Sequence, residues 1–158
     1  MTLYFITSNK RKFEEAKKII PNIEHLELDL LEIQELDAKK IIEEKLNEAM
    51  KKHAGELVCE DTSVYINCLN GFPGPLIKWV LESIGHIGLA ELVLKYKNHS
   101  ATAKTIIGYS NGKEIKFFEG ILEGEIVMPK GDIENSDNYA ASSSEFSNGQ
   151  FPKRQNII

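Results

Sequence analysis

Three consecutive cations, Lys10, Arg11 and Lys12, come directly after the polar run Thr7-Ser8-Asn9 at the place where a helix is expected to begin. The partial positive charge of a helix N-terminus favours acids there by about 0.3–1 kcal/mol each, so a basic first turn is locally unfavourable. A bound anion reverses that sign, and a strand, a short polar turn and a helix N-terminus form a phosphate-binding geometry. The alternative is a solvated turn offset by Glu14 and Glu15. No Walker A pattern is present. Two further lysines stand apart. Lys45 falls inside the apolar stripe Ala38, Ile41, Ile42, Leu46, Ala49 and Met50, where an ammonium needs a counter-charge; a snorkelling stem or an internal salt bridge is the somewhat commoner explanation of such a lysine. Lys78 lies opposite the stripe Leu76, Ile77, Val80, Leu81 and Ile84, so periodicity alone reads it as solvated.

Acids complement these cations. Glu60-Asp61 comes after the apolar run Leu57-Val58-Cys59, and Glu32 leaves the run around Leu26 to Leu31. Open α/β sheets place ligands at strand ends of this kind. Mg²⁺ bound to substrate phosphates uses one or two carboxylates plus water. Carboxylates beside isolated lysines therefore point to a metal–triphosphate site, although acids after strands are also ordinary loop residues. His25, His53, His86 and His99 show no mutual spacing that makes a site, and no nucleophile–histidine pair is visible. Cys59 and Cys68 read as small core-facing residues, with neither a zinc pattern nor a disulfide framework around them.

The elements that must position these residues can be read from punctuation and period. Leu3 to Ile6 is a short buried strand, Thr7-Ser8-Asn9 caps a helix, and Pro21 stops it. Asp37 is the N-cap of a second helix that ends at Gly55, and Leu57-Val58-Cys59 is a strand ending at Glu60-Asp61. Gly71-Phe72-Pro73-Gly74-Pro75 is loop chemistry, with Pro75 the first residue of a helix to about Ile84 and another helix from Gly88 to Tyr96. Thr105–Tyr109 and Lys113–Phe118 flank Ser110-Asn111-Gly112, a hairpin signal for a type I′ turn, and Gly120–Met128 alternates as a further strand. Helices alternating with strands, then a meander, make a mixed sheet in an α/β protein. Glu134 to Gln150 is poor in apolar residues and is expected to be irregular.

Composition bounds the rest. The 158 residues, 42% apolar and 27% charged, are enough to bury about 70% of the unfolded chain's surface in one domain. A net charge of −5 gives no broad positive field for nucleic acid, so an anionic ligand must be held locally. No apolar run approaches the ~20 residues of a membrane span, and Met1 to Phe13 carries no secretory pattern, so a cytoplasmic protein is expected.

Taken in order, these segments resemble the HAM1 family, the inosine triphosphate pyrophosphatases that hydrolyse non-standard purine nucleoside triphosphates. Phe5 to Lys12 is similar to the family's opening strand and Ser/Thr-x-Asn-x-x-Lys loop, and Leu30 to Glu35 to its Pro-Glu-Ile-Gln-Gly segment. Glu60-Asp61-Thr62-Ser63 and Leu69 to Trp79 are similar to its most distinctive block. The resemblance implies that Thr7, Ser8, Asn9, Lys12, Lys45, Thr62 and Lys78 bind the substrate, against the solvated reading of Lys78. It also implies that Glu32 and Asp61 hold Mg²⁺, and that Asp61, with Glu60, orients or activates the water attacking the α-phosphorus. The implied fold is an elongated mixed β-sheet flanked by helices, two lobes around a nucleotide cleft, in a homodimer. The resemblance spans residues 1–131 and makes 132–158 a divergent tail: after Gly131 the family has an aromatic base-packing segment and later base-gripping segments, where this chain reads Asp132 to Ala141. A catalytically impaired nucleotide-binding relative, or a phosphohydrolase of another phosphorylated metabolite, are the alternatives.

Overall fold

The computed structural model describes residues 2–30, 33–129 and 155–156. In chain order the elements are β1 (Leu3–Ile6), α1 (Lys10–Ile19), β2 (Glu24–Leu26), α2 (Ala38–Lys52), β3 (Glu56–Ile66), β4 (Pro73–Gly74), α3 (Ile77–Val93), β5 (Ser100–Ser110), β6 (Ile115–Glu125) and β7 (Gln155–Asn156). The strands form one mixed sheet in the order β2-β1-β3-β5-β6-β7, with β4 paired to β3. β1 is parallel to β2, with Phe5 opposite His25, and parallel to β3, with Phe5 opposite Val58. β4 is antiparallel to β3. The α/β class and the mixed sheet expected from the sequence are observed.

The chain divides into two compact units. One comprises Met1–Asp61 with Thr105–Glu119, the other Thr62–Lys104 with Gly120–Ile158. The first unit is built around α2. Asp37 caps it by accepting the Lys39 N–H at 3.0 Å. The Ala38, Ile42, Leu46 and Ala49 stripe packs on Ile6, Leu57, Cys59 and Ile106. Each large aliphatic side chain buried there contributes about 1.5–3 kcal/mol. Polar ties at the periphery add orientation: the Tyr109 hydroxyl donates to Glu56 at 2.6 Å, and Lys39 pairs with Glu119 at 2.8 Å. The second unit gathers Val64, Ile66, Ile77, Leu81, Leu89, Val93, Ala101 and Ile126 into its own core. Gly85, at φ 69° and ψ 175°, interrupts α3 in a conformation only glycine adopts easily, so two helical pieces adjoin there as the sequence predicts.

Several boundaries differ from expectation. β3 does not end at Glu60-Asp61 but continues to Ile66, because its polar middle is carried between pairing partners at both ends. β6 runs through Gly120, so the two strands expected at Lys113–Phe118 and Gly120–Met128 are one. The connection before it is not a type I′ turn. Gly112 has φ 85° but Asn111 does not have a positive φ, and Asn111 Oδ1 instead accepts the N–H groups of Lys113 and Glu114 at 2.9 and 3.0 Å. Pro75 precedes α3 rather than opening it, and Pro73–Gly74, read as loop, pairs with Tyr65 and Val64. The segment Glu134–Gln150, expected to be irregular, lies outside the described residues, and in the tail beyond it Gln155–Asn156 pairs in parallel with Gly124 and Glu125. No helix among the described residues is long and apolar enough to cross a membrane.

Candidate active site

The turn between β1 and α1 is held by its own side chains. The Asn9 N–H donates to Thr7 Oγ1 at 3.1 Å, and Asn9 Oδ1 accepts from the N–H groups of Arg11 and Lys12 at 3.0 and 3.2 Å. An asparagine cap of this kind is worth about 1 kcal/mol to the helix. It sets Thr7, Ser8 and Asn9 at the mouth of α1, with no acid in the first turn to neutralise the helix end. Ser8 is exposed, whereas Thr7 and Asn9 are half-buried. Arg11 pairs with Glu15 at 3.2 Å along the helix surface.

Lys12 pairs with Glu60 of β3. The Glu60 side chain is only 14% exposed, so this is a partly desolvated ion pair whose loss would leave a poorly hydrated charge. Asp61 is the next residue of the same strand, and successive strand side chains point to opposite faces. By that alternation Asp61 shares the face of Leu57 and Cys59, which pack on α2, while Glu60 lies on the face that α1 reaches. Sequence alone puts both acids together at a strand end. The structure separates them across a sheet.

Lys45 projects half-buried from α2, one turn beyond Ile42, whose carbonyl accepts the Cys59 thiol at 3.9 Å. Burial pushes Cys59 up to about 12, Lys45 pulls it down, and Glu60 and Asp61 raise it further. Lys45, Glu60 and Asp61 thus each act electrostatically on the Cys59 thiol.

Thr62 and Lys78 belong to the second unit. Thr62 is half-buried in β3. Lys78 is exposed in the first turn of α3, as its periodicity predicts, with its ammonium 5.9 Å from the centre of the Trp79 ring. Glu32 lies outside the described residues. The carboxylate oxygens of Glu60 and Asp61 are hard donors of the type Mg²⁺ takes when phosphates and water complete its shell. Glu60 pairs with Lys12, and the Asp61 carboxylate carries donor oxygens of the same hard type.

Spacing along the chain gives the histidines no place near this turn. His25 reaches it: its Nε2 lies 2.6 Å from the Thr7 carbonyl, and its ring packs on Phe13 with centroids 4.8 Å apart. Only the β1–β2 register brings these residues together, and no motif signals it.

The chain is similar to known proteins in sequence and in fold. The Ham1 family profile matches residues 3–136. The inosine triphosphate pyrophosphatase of Pyricularia oryzae is 42% identical over 135 residues, covering 82% of this chain and 71% of that protein. That of Neurospora crassa is 41% identical over 132 residues, covering 80% and 69%. Among solved structures, a nucleoside-triphosphatase/dITP/XTP pyrophosphatase from Mycobacterium abscessus superposes with a TM-score of 0.65 at 17% identity, covering 80% of this chain and 74% of that one, a likeness of fold. With a profile match over most of its length and relatives near two-fifths identity, the chain belongs to the Ham1 family.

Proposed function

We propose that this protein hydrolyses the non-canonical purine nucleoside triphosphates ITP, dITP and XTP to the monophosphate and pyrophosphate, and so cleanses the nucleotide pool. The observation that carries the reading is 42% identity, over 135 residues, to a protein named inosine triphosphate pyrophosphatase. The matched span includes the capped, acid-free α1 terminus and the residues Lys45, Glu60 and Asp61. In this reading Thr7, Ser8, Asn9 and Lys12 receive the triphosphate, with Lys45, Thr62 and Lys78 as further substrate contacts.

Asp61 orients the attacking water, whose oxygen bonds to the α-phosphorus as the bond to the bridging oxygen breaks and pyrophosphate leaves. The proton released passes to the Asp61 carboxylate and on to solvent. Glu60 fixes Lys12, which ties the first turn of α1 to the strand that carries Asp61. Glu32 and Asp61 are the residues proposed to hold Mg²⁺, which when bound would neutralise charge on the phosphoryl oxygens and the leaving group. No covalent enzyme intermediate is needed, because positioned cations and an oriented water supply the required charge stabilisation. Homodimeric pairing and a cytoplasmic site of action belong to the same reading, carried by the family resemblance.

The test is pyrophosphate release from ITP, dITP, XTP, ATP and GTP in the presence of Mg²⁺. Release from the first three at kcat/KM at least about tenfold above ATP and GTP is expected, the discrimination that differential contacts to a base edge supply. Equal rates on ATP and ITP, or no release at high protein concentration, would reject the assignment.

A further inference from the structure

We propose that His25 is a positioning residue for the triphosphate-binding turn; the inference rests on the pyrophosphatase reading above. His25 is the central residue of β2, in parallel register with Phe5 of β1. Two residues beyond Phe5 the chain leaves β1 at Thr7, and the His25 ring closes on that point, with Nε2 2.6 Å from the Thr7 carbonyl. A carbonyl oxygen only accepts, so the nitrogen facing it carries the proton and donates. The ring also packs on Phe13, in α1, with centroids 4.8 Å apart and planes inclined by 31°. One side chain thus grips both the residue that enters the turn and the helix that leaves it.

The hydrogen bonds beyond Thr7 make this grip relevant to substrate. Thr7 Oγ1 accepts the Asn9 N–H, and Asn9 Oδ1 accepts the N–H groups of Arg11 and Lys12. The hydrogen-bonded series from His25 to Thr7 to Asn9 therefore sets the direction in which the first turn of α1 points. The side chains proposed to receive the triphosphate, Thr7, Ser8, Asn9 and Lys12, all ride on that turn, so a small tilt displaces all of them together. His25 needs no contact with the triphosphate to affect its capture.

Two variants separate the donor from the ring. His25→Phe keeps an aromatic surface against Phe13 and removes the donor, whereas His25→Gln keeps an N–H near the Nε2 position and removes the ring. Steady-state hydrolysis of ITP with Mg²⁺, calorimetric binding of inorganic tripolyphosphate with Mg²⁺, and thermal melting are measured on the full chain. For His25→Phe the expected result is a KM raised about tenfold with kcat within about twofold, and tripolyphosphate affinity weakened in step. For His25→Gln both constants stay within about threefold of wild type, even if its melting temperature falls. A wild-type KM in folded His25→Phe, or equal weakening in both variants, would overturn the proposal, because either result assigns His25 to packing alone. If His25→Phe does not fold, His25→Leu serves as the donorless variant under the same criteria. Should the wild type bind tripolyphosphate without releasing pyrophosphate from any purine triphosphate, the pyrophosphatase reading fails and the binding comparison alone decides His25. Should the wild type bind neither, both fail.

Discussion

Asp61 and Glu60 are neighbours in sequence with different surroundings, and the difference comes from one feature, their position inside a strand. Alternation sends Glu60 to the face where Lys12 meets it and Asp61 to the face of Cys59 and α2. In the proposed reading Asp61 orients the water, while Glu60 ties Lys12 to the strand. The substitution Asp61→Asn preserves shape and removes the charge, so kcat for ITP should fall at least about a hundredfold while KM stays within about fivefold. Retention of more than about a tenth of wild-type kcat, measured by pyrophosphate release, would move the role elsewhere. The residue types for this site are legible from the sequence: an asparagine cap, a basic first turn, a lysine in an apolar stripe and paired acids all point to phosphate chemistry. Their partners are not. Nothing in the spacing of Lys12 and Glu60 announces that they meet, because that contact depends on how α1 lies on β3.

At the level of elements, helices are easier to read than strands. α1 and α2 begin at their expected caps, Asn9 and Asp37, because a cap is a local hydrogen bond between residues two or three apart. β3 and β6 extend past their expected limits through Glu60 to Ser63 and through Gly120, residues that weaken a strand signal locally but are overruled by pairing with distant segments. Gly108 of β5 shows how closely such pairing can pack. A Cβ placed there would lie 2.2 Å from Ile42 Cγ2 and 2.9 Å from Leu46 Cδ1, both fully buried on α2. The position needs a glycine for close approach, not for its backbone angles. Gly108→Ala should destabilise the protein by about 1–3 kcal/mol through overpacking. Gly120→Ala, which meets nothing within 4 Å, should stay within about 0.5 kcal/mol of wild type. Denaturant melts of the two variants decide the matter, and coincident midpoints would mean that β5 does not pack on α2 this closely.

The whole molecule carries a net charge of −5, so a polyphosphate approaches a chain that repels it on average. The cations that could hold it are not idle: Arg11 is paired with Glu15 and Lys12 with Glu60. An incoming triphosphate must compete with these carboxylates for the same ammonium and guanidinium groups, and the Asp61 carboxylate of the proposed site adds a like charge. A divalent cation held by Asp61, as proposed, would turn the acid from a repulsive group into a ligand. Chelation of divalent metal should therefore act on both capture and turnover. With EDTA in excess, pyrophosphate release from ITP should drop below about one part in a hundred, and tripolyphosphate affinity should weaken at least about tenfold; added Mg²⁺ should restore both. Raising monovalent salt to the same ionic strength as the restoring Mg²⁺ should not, because screening lowers repulsion and attraction alike without supplying a ligand for the phosphates. Turnover that survives chelation above about a tenth of the full rate would show that the chain's own cations suffice, and that Asp61 works beside the triphosphate without a metal between them.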